Sequence, residues 1–339
     1  MAKKIGKSTY AFEKGIYLTG YGSVAGKKEG QGPYGNYFDF IGEDAYFGEK
    51  TFEKAENVLQ KMATVYAVDK SGLKHSEIDL VCAGDLLNQC IGSSFSARDM
   101  NLPFVGIYGA CSTMALSLIL VSFMIESGAV NNGISVASSH FCAAERQYRF
   151  PLEYGNQRPP TSQWTVTGAG AFVLSNKEKV NAPKIVRATI GEIKDLSVTD
   201  QNNMGAAMAP AAASTILRFF KDTKTNPKDY DAIFTGDLGL IGKSLLINLA
   251  KMEGYNLSEN LFDFGEMIFD IKEQDVHSGG SGCGCSAVMM ASYIMDMMKR
   301  GNLKNILYCA TGALLSPTTV MQGESIPGIC HLVNIKNSI

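Results

Sequence analysis

The sequence predicts an α/β fold made of two duplicated halves, each a mixed, mostly parallel sheet covered by helices. Three matched features carry that prediction. A turn of small residues leading into an apolar helix occurs twice, as GACST (109–113) before MALSLILVSFMI and as GSGCGCSA (280–287) before VMMASYIMDMMKRG. Each copy then continues past a helix-ending glycine into a strand, GISVASSH after Gly128 and NILYCATG after Gly301. Upstream, DLVCAGDL (79–86) and DAIFTGDL (231–238) form a second pair in which a buried-type strand runs into Gly-Asp-Leu. Self-similarity on this scale marks one supersecondary unit used twice. Strands alternating with helical stretches build parallel sheets covered by helices.

In chain order, IYLTGYGSVA (16–25) is the first strand, and the Gly-rich aromatic stretch GKKEGQGPYGNYFDF after it belongs on the surface. Residues 51–66 form a helix with Val58, Leu59, Met62 and Val65 at helical spacing. Residues 79–86 are a strand, 111–125 a buried helix with Cys-Ser at its start, and 133–139 a further strand. TVTGAGAFVLS (165–175) closes the first half, its glycines placed where a neighbouring backbone comes close. A linker near residues 180–184, containing Pro183, divides the chain into a first half, 1–180, and a second, 181–339. The second half opens on IVRATIGEI as a strand. A helix then begins near Ala211, the first-half order returns, and IPGICHLVNI (326–335) is the last strand.

At 339 residues the chain is long enough for two ordinary domains or one large duplicated body. Its net charge is −2, with 19% charged and 45% hydrophobic residues, so composition gives no net attraction to nucleic acid or to an anionic bilayer. Small molecules and proteins are the expected partners. The first twenty residues carry lysines but no continuous apolar stretch of a signal peptide, and no apolar run reaches the about 20 residues of a transmembrane helix. The expected location is therefore cytoplasmic, or peripheral at a membrane through another component. Eight cysteines (Cys82, Cys90, Cys111, Cys142, Cys283, Cys285, Cys309, Cys330) read as reduced thiols. Cys283-Gly284-Cys285 lacks the second pair of a zinc site, so no metal site is expected.

Seven segments carry a family resemblance across nearly the whole chain: AGDLLNQ (83–89), FVGIYGACSTMALS (104–117), ASSHFCAAERQYRFPLEYG (137–155), TVTGAGAFVLS, MGAAMAPAAAST (204–215), GGSGCGCSAV (279–288) and ATGALLSPTTVMQGESIPGI (310–329). The chain resembles the thiolase superfamily, which includes the ketoacyl-acyl-carrier-protein synthases, and within it the stage V sporulation protein AD family of spore-forming Firmicutes. That resemblance implies a thiolase-like five-layered αβαβα body, usually a homodimer, with no cofactor. It also implies binding of dipicolinate (pyridine-2,6-dicarboxylate), with calcium accompanying the ligand. The role would be uptake into the developing spore, beside membrane subunits of the same system at the spore inner membrane.

Thiolase-type catalysis needs a thiolate, a group that moves protons and donors for a thioester oxyanion. Cys111 occupies the nucleophile position at a helix start, where free N–H groups and the macrodipole favour a thiolate by about 0.3–1 kcal/mol. The resemblance implies a catalytic His at the end of the 231–237 strand, where Gly236 stands beside Asp237. It implies a catalytic Asn in GGSGCG, where Ser281 stands. His140, closing the 133–139 strand, and His277, in VHSGGSG, are the imidazoles able to restore proton transfer to Cys111. The expectation is a catalytically silent pocket that binds dipicolinate; the alternative is an acyltransferase or condensing enzyme with Cys111 as nucleophile. A planar aromatic dianion needs apolar walls and N–H, hydroxyl or guanidinium donors aimed at two carboxylates. The candidate contacts are Cys111, Thr113, Ser139, His140, Arg146, Arg149, Gly236, Gly280, Ser281 and Gly312. Asp85 and Asp237, the repeated Gly-Asp-Leu acids, are expected as helix N-caps.

Overall fold

The computed structural model describes residues 2–148 and 158–337. The apolar runs of the first half become strands β1 (Thr9–Ala25), β2 (Leu80–Gly84), β3 (Phe104–Gly106), β4 (Asn132–Ser139) and β5 (Gly168–Ser175). Those of the second half become β6 (Lys184–Thr189), β7 (Ala232–Thr235), β8 (Leu261–Asp263), β9 (Asn305–Ala313) and β10 (Gly328–Lys336). Their spatial orders are β3-β2-β4-β5-β1 and β8-β7-β9-β10-β6, so the same arrangement occurs twice. In each half the first three strands pair in parallel and the next two pairings are antiparallel, which leaves four of five strands pointing one way. β1 serves both halves. Its first part pairs with β6, from Thr9↔Thr189 to Tyr17↔Lys184, and its second part with β5, so the two sheets join edge to edge.

Six helices place these sheets in layers. α1 (Phe52–Ser71) and α2 (Ile91–Met100) cover the outer face of the first half. α5 (Met204–Thr223) and α6 (Gly239–Met252) cover the second. α3 (Thr113–Ser127) and α7 (Cys283–Met289), the latter continuing through a π-helical turn to Lys299, lie between the sheets. The layer order is therefore αβαβα. A short α4 (Phe141–Tyr148) follows β4.

Side-chain choice explains the layering. α3 touches β2 and β4 of its own half and β9 and β10 of the other, and a helix with sheet on two sides is apolar all round. Its stretch 110–127 has a mean hydropathy of 1.7 and is apolar and long enough to cross a membrane by composition, yet 72% of it is buried inside the fold. Each fully buried Leu118, Ile119, Val121 or Ile125 contributes about 1.5–3 kcal/mol. On the outer face, a Cβ at Gly20 or Gly22 of β1 would stand 2.0 or 2.1 Å from the carbonyl oxygens of Ala67 and Ala63, so only glycine lets α1 lie this close.

α5 begins at Met204, seven residues before the start expected near Ala211. Asn203 caps it by accepting from the Ala206 N–H, and Pro210 sits inside the helix. Burial of Ala207, Met208, Ala211 and Ala212 against the sheet outweighs the hydrogen bond that the proline removes.

Candidate ligand pocket

Cys111 sits on a tight turn between β3 and α3. Ala110 adopts φ +47°, a left-handed backbone that costs on the order of 1 kcal/mol in a non-glycine residue. Three hydrogen bonds hold the turn: Ser112 Oγ donates to Gly109 O (2.6 Å), Thr113 Oγ1 to Ala110 O (2.6 Å), and Gly109 N to Thr113 Oγ1 (3.1 Å). Gly312 at the end of β9 presses on the same turn, because a Cβ there would lie 2.5 Å from Gly109 O. The turn delivers the Cys111 thiol to a buried carboxyl of the second half.

That carboxyl is Asp237. Its Oδ2 accepts from Gly282 N (2.9 Å) and Ser281 Oγ (3.3 Å), its Oδ1 accepts from Thr311 Oγ1 (2.9 Å), and it interacts electrostatically with the Cys111 thiol. Burial pushes Asp237 up to about 7, while the interactions with Cys111, Gly282 and Thr311 pull it back down. Burial, and then the charge on Asp237, push the Cys111 thiol well above its ordinary value. The helix start favours a thiolate only weakly, so these two effects win and the group is a thiol at neutral pH.

The two Gly-Asp-Leu acids have parted roles. Asp85 accepts from Leu87 N (2.9 Å) and from Ser93 N and Oγ (2.7 and 2.5 Å), holding the chain that leads into α2. Asp237 instead lies buried behind Cys111 and Ser281, which line the pocket. Its expected capping work falls to Asp263, which accepts from Leu238 N and Gly239 N at the start of α6, both at 2.9 Å. The repeated Cys-Ser pair also differs between halves. Cys285-Ser286 lies inside the first turn of α7, whereas Cys111 and Ser281 each stand two residues before their helix. Ser281 is thus the positional counterpart of Cys111, and both face Asp237.

Above Cys111 and Ser281 opens a cavity of about 40 Å³, walled by Leu86, Tyr108, Ala144, Glu145, Tyr148, Thr165, Met204, Ala313 and Leu315. Tyr148 Oη donates to Leu86 O (2.5 Å) and lies 3.2 Å from Tyr108 Oη. Glu145 Oε1 accepts from Thr165 Oγ1 (2.7 Å). Among the described residues, no basic side chain lines this cavity.

Several residues expected in the pocket stand elsewhere. Both ring nitrogens of His140 are engaged, Nε2 with Ala45 O (2.7 Å) and Nδ1 with Ala143 N (3.4 Å), so it caps α4 under the stacked ring of Phe52. Burial lowers its pKa and keeps it neutral. His277 occupies a loop at φ +53°, between Pro159 O (2.8 Å) and Asp275 Oδ1 (3.1 Å). Arg146 points out of α4, pairs with Glu53 and lies over the Phe52 ring. Arg149 lies outside the described residues. Ser139 donates to Val166 O (2.7 Å) and accepts from Gly284 N (3.1 Å), tying β4 to α7. Thr113, Gly236, Gly280 and Gly312 shape the backbone around the pocket without lining it. Cys111 and Ser281 line it directly.

Tyr108, Glu145 and Tyr148 were not among the expected contacts. A helical wheel over 141–148 puts Ala144 and Tyr148 on one face, with Glu145 beside them and Arg146 turned away. Among the described residues, no three His, Cys, Asp or Glu side chains are grouped to hold a metal ion.

A sequence model of the family described as stage V sporulation protein AD matches residues 6–336. The chain belongs to the stage V sporulation protein AD family. Stage V sporulation protein AD of Bacillus subtilis (strain 168) is 42% identical over 329 residues, covering 97% of this chain and 96% of that one. Among solved structures, 3-oxoacyl-[acyl-carrier-protein] synthase III from Aquifex aeolicus VF5 has a TM-score of 0.60 at 14% identity, over 95% of this chain and 100% of that one. OleA of Xanthomonas campestris reaches a TM-score of 0.61 at 12% identity, over 96% and 99%. At these identities the likeness is one of fold, and it makes the five-layered body thiolase-like.

Proposed function

We propose that this sporulation-family protein is a catalytically silent thiolase fold that binds dipicolinate over Cys111 and takes part in dipicolinate uptake into the developing spore. The observation that carries this reading is the Asp237 carboxyl on the Cys111 thiol. A condensing enzyme of the superfamily needs an imidazole there. A buried carboxyl holds the thiol protonated and offers no cationic acid to a departing or arriving acyl group.

The walls favour a flat, partly aromatic ligand: Tyr108 and Tyr148 supply ring faces, and Ser281 and Thr165 supply hydroxyls. Glu145 and Asp237 set the charge condition. A dianion enters this acidic surrounding favourably when calcium comes with it, bound mainly by the ligand's ring nitrogen and carboxylates, or when Asp237 is protonated. The cavity of about 40 Å³ holds only a few waters, so Tyr108, Tyr148 and Leu315 turn aside on binding. The proposal also has the protein acting as a homodimer peripheral to the spore inner membrane, beside membrane subunits. Among the described residues the outer edge of β3, with Phe104 partly exposed, has no pairing strand, and it offers an edge for a second copy.

Calorimetric titration with dipicolinate, with and without calcium, tests the reading. Saturable binding that Cys111→Ala or Tyr148→Ala weakens and Arg146→Ala leaves intact supports it. Absence of binding, together with a covalent mass increase at Cys111 on incubation with acyl-CoA, would replace it with the acyltransferase.

A further inference from the structure

The turn that joins β2 to α2 ties several walls of the pocket together. Leu86 lines the cavity, and its carbonyl accepts from Tyr148 Oη (2.5 Å). Asn88 N donates to Gln147 Oε1 (3.1 Å), and Cys90 Sγ donates to Ile107 O (3.3 Å), next to Tyr108. Gln89 and Cys90 stand in succession at φ +57° and +52°, a left-handed backbone that non-glycine residues keep when their surroundings impose it. Asp85 supplies that constraint. Its carboxyl accepts from Leu87 N on one side of the strained pair and from Ser93 N and Oγ on the other.

A second acid stands behind Asp85. Glu56 of α1 is fully buried, and Gly92 is wedged against both side chains: a Cβ there would lie 3.3 Å from Asp85 Oδ2 and 3.4 Å from Glu56 Cγ. Gln60 Nε2 donates to Ser138 Oγ and to Ser93 Oγ, both at 2.9 Å. Ser138 Oγ donates in turn to Glu56 Oε1 (2.8 Å), and Ser93 Oγ to Asp85 Oδ2 (2.5 Å). Asp85 thus receives three donors and Glu56 one. Glu56 Oε2 and Gln60 Oε1, one helical turn apart on the same face of α1, are buried and have no hydrogen-bond partner.

No counter-charge reaches the pair from the elements around it. Cys90 on the turn, Cys283 on α7, whose thiol donates to Ser138 O (2.8 Å), and Tyr148 on α4 are all raised by burial and stay neutral. His140 at the end of β4 is neutral and turned to Ala45 O. Asp99 of α2 pairs with Asn57 and Arg98, and Glu53 of α1 with Arg146.

We infer that Glu56 is a positioning residue of the pocket: it carries a proton on Oε2, donates it to Gln60 Oε1, and by staying neutral lets the Asp85 carboxylate clamp the turn that bears Leu86. One proton placed there satisfies two unpartnered atoms. It also removes one of two negative charges from a dry volume in which both together are expensive. An ionised Glu56 would set a bare oxygen against Asp85 and load the clamp. The inference deepens the reading of this cavity as a dipicolinate pocket and rests on it for the ligand alone.

Three variants of the full chain test it. Glu56→Gln keeps an oxygen for Ser138 and an N–H for Gln60, Glu56→Ala keeps neither, and Asp85→Asn turns an NH₂ toward donors. At neutral pH, Glu56→Gln should remove a neutral carboxylic acid band from the infrared spectrum. Hydrogen exchange at the Leu87 and Ser93 amides and calorimetric dipicolinate binding should stay close to wild type in that variant. Glu56→Ala and Asp85→Asn should speed exchange and weaken binding about tenfold, as one buried group left unpaired would. Raising the pH should destabilise the wild type relative to Glu56→Gln, because a neutral native acid loses stability as it ionises. Loss of a carboxylate band in Glu56→Gln, or loosening there as large as in Glu56→Ala, would overturn the inference. So would wild-type exchange and affinity in Asp85→Asn. Should Glu56→Ala fail to fold, the infrared band and the contrast between Glu56→Gln and Asp85→Asn decide. If the wild type binds no dipicolinate, the functional reading falls, while the infrared and exchange measurements still judge the acid pair.

Discussion

Replacing Asp237 by Asn should change how stability depends on pH more than it changes the fold. Asp237 is fully buried, and its carboxyl is raised from 3.8 to about 7. The native state therefore holds a proton that the unfolded chain releases between those values. For a raised acid the sign is fixed: stability is greatest at low pH, falls as pH rises through the unfolded value, and levels off above the folded one. Integrating one such group from about pH 4.5 to about pH 8 gives about 3 kcal/mol of lost stability, from about 1.4 kcal/mol per pH unit. Asn cannot ionise, so the variant lacks this component while His140, His331 and the other buried acids titrate alike in both proteins.

The assay is denaturant unfolding of both proteins across that range, read as their difference. The wild type should lose about 3 kcal/mol relative to Asp237→Asn between the two ends. The amide can accept from Gly282 N with its oxygen and turn its NH₂ to Thr311 and Cys111, whose hydroxyl and thiol can accept, so the pocket stays satisfied. Parallel stability curves at every pH would refute the assignment of a neutral buried carboxyl at this position.

Three further outcomes follow from the same geometry. Iodoacetamide should alkylate Cys111 at least about tenfold more slowly than a free thiol at neutral pH, and Asp237→Asn should speed the reaction; rapid stoichiometric labelling of the wild type, located by peptide mass, would contradict the protonated thiol. Dipicolinate should bind several-fold more tightly near pH 6 than near pH 8, because protonation of Asp237 removes a negative charge buried behind Cys111 and Ser281 at the pocket wall, and calorimetry that finds no such trend counts against the site. Gly312→Ala should cost about 1–3 kcal/mol and weaken ligand binding, since its Cβ drives into the Gly109 carbonyl behind Cys111; unchanged melting would mean that the turn tolerates movement.

The architecture was legible because repetition is a long-range signal. The matched strands and helices at 79–86 and 231–238, and at 113–127 and 283–299, reappear as equivalent positions in two sheets of one order. The start of α5 was missed because a proline and a run of small residues look like a breaker until tertiary burial of Ala207 and Met208 is counted. At the site, Cys111 and Ser281 were legible as residues that precede buried helices. The environment of His140 was not, because sequence cannot say that its two nitrogens are taken by Ala45 and Ala143. Nor can two identical Gly-Asp-Leu triplets reveal that one aspartate turns to its own chain and the other to a thiol across the molecule.

That divergence is the physical core of the reading. Backbone features that favour a thiolate are present beside Cys111: a buried helix begins two residues beyond the sulfur, and the Gly282 N–H lowers its pKa. A helix start contributes about 0.3–1 kcal/mol toward a thiolate. A desolvated sulfur facing a carboxyl works against them with a larger energy, because both charged forms are then expensive in the same dry volume. Cys111 therefore stays a thiol at neutral pH, and its sulfur is a poor nucleophile in this setting. Shape and acid–base chemistry are therefore separable in this fold. The duplicated halves build the pocket through backbone packing, which Gly312 and the Ala110 turn maintain, while the chemistry depends on which side chain follows Gly236. With Asp237 there, the group set against the Cys111 thiol is a buried carboxyl whose own proton is held up to about pH 7.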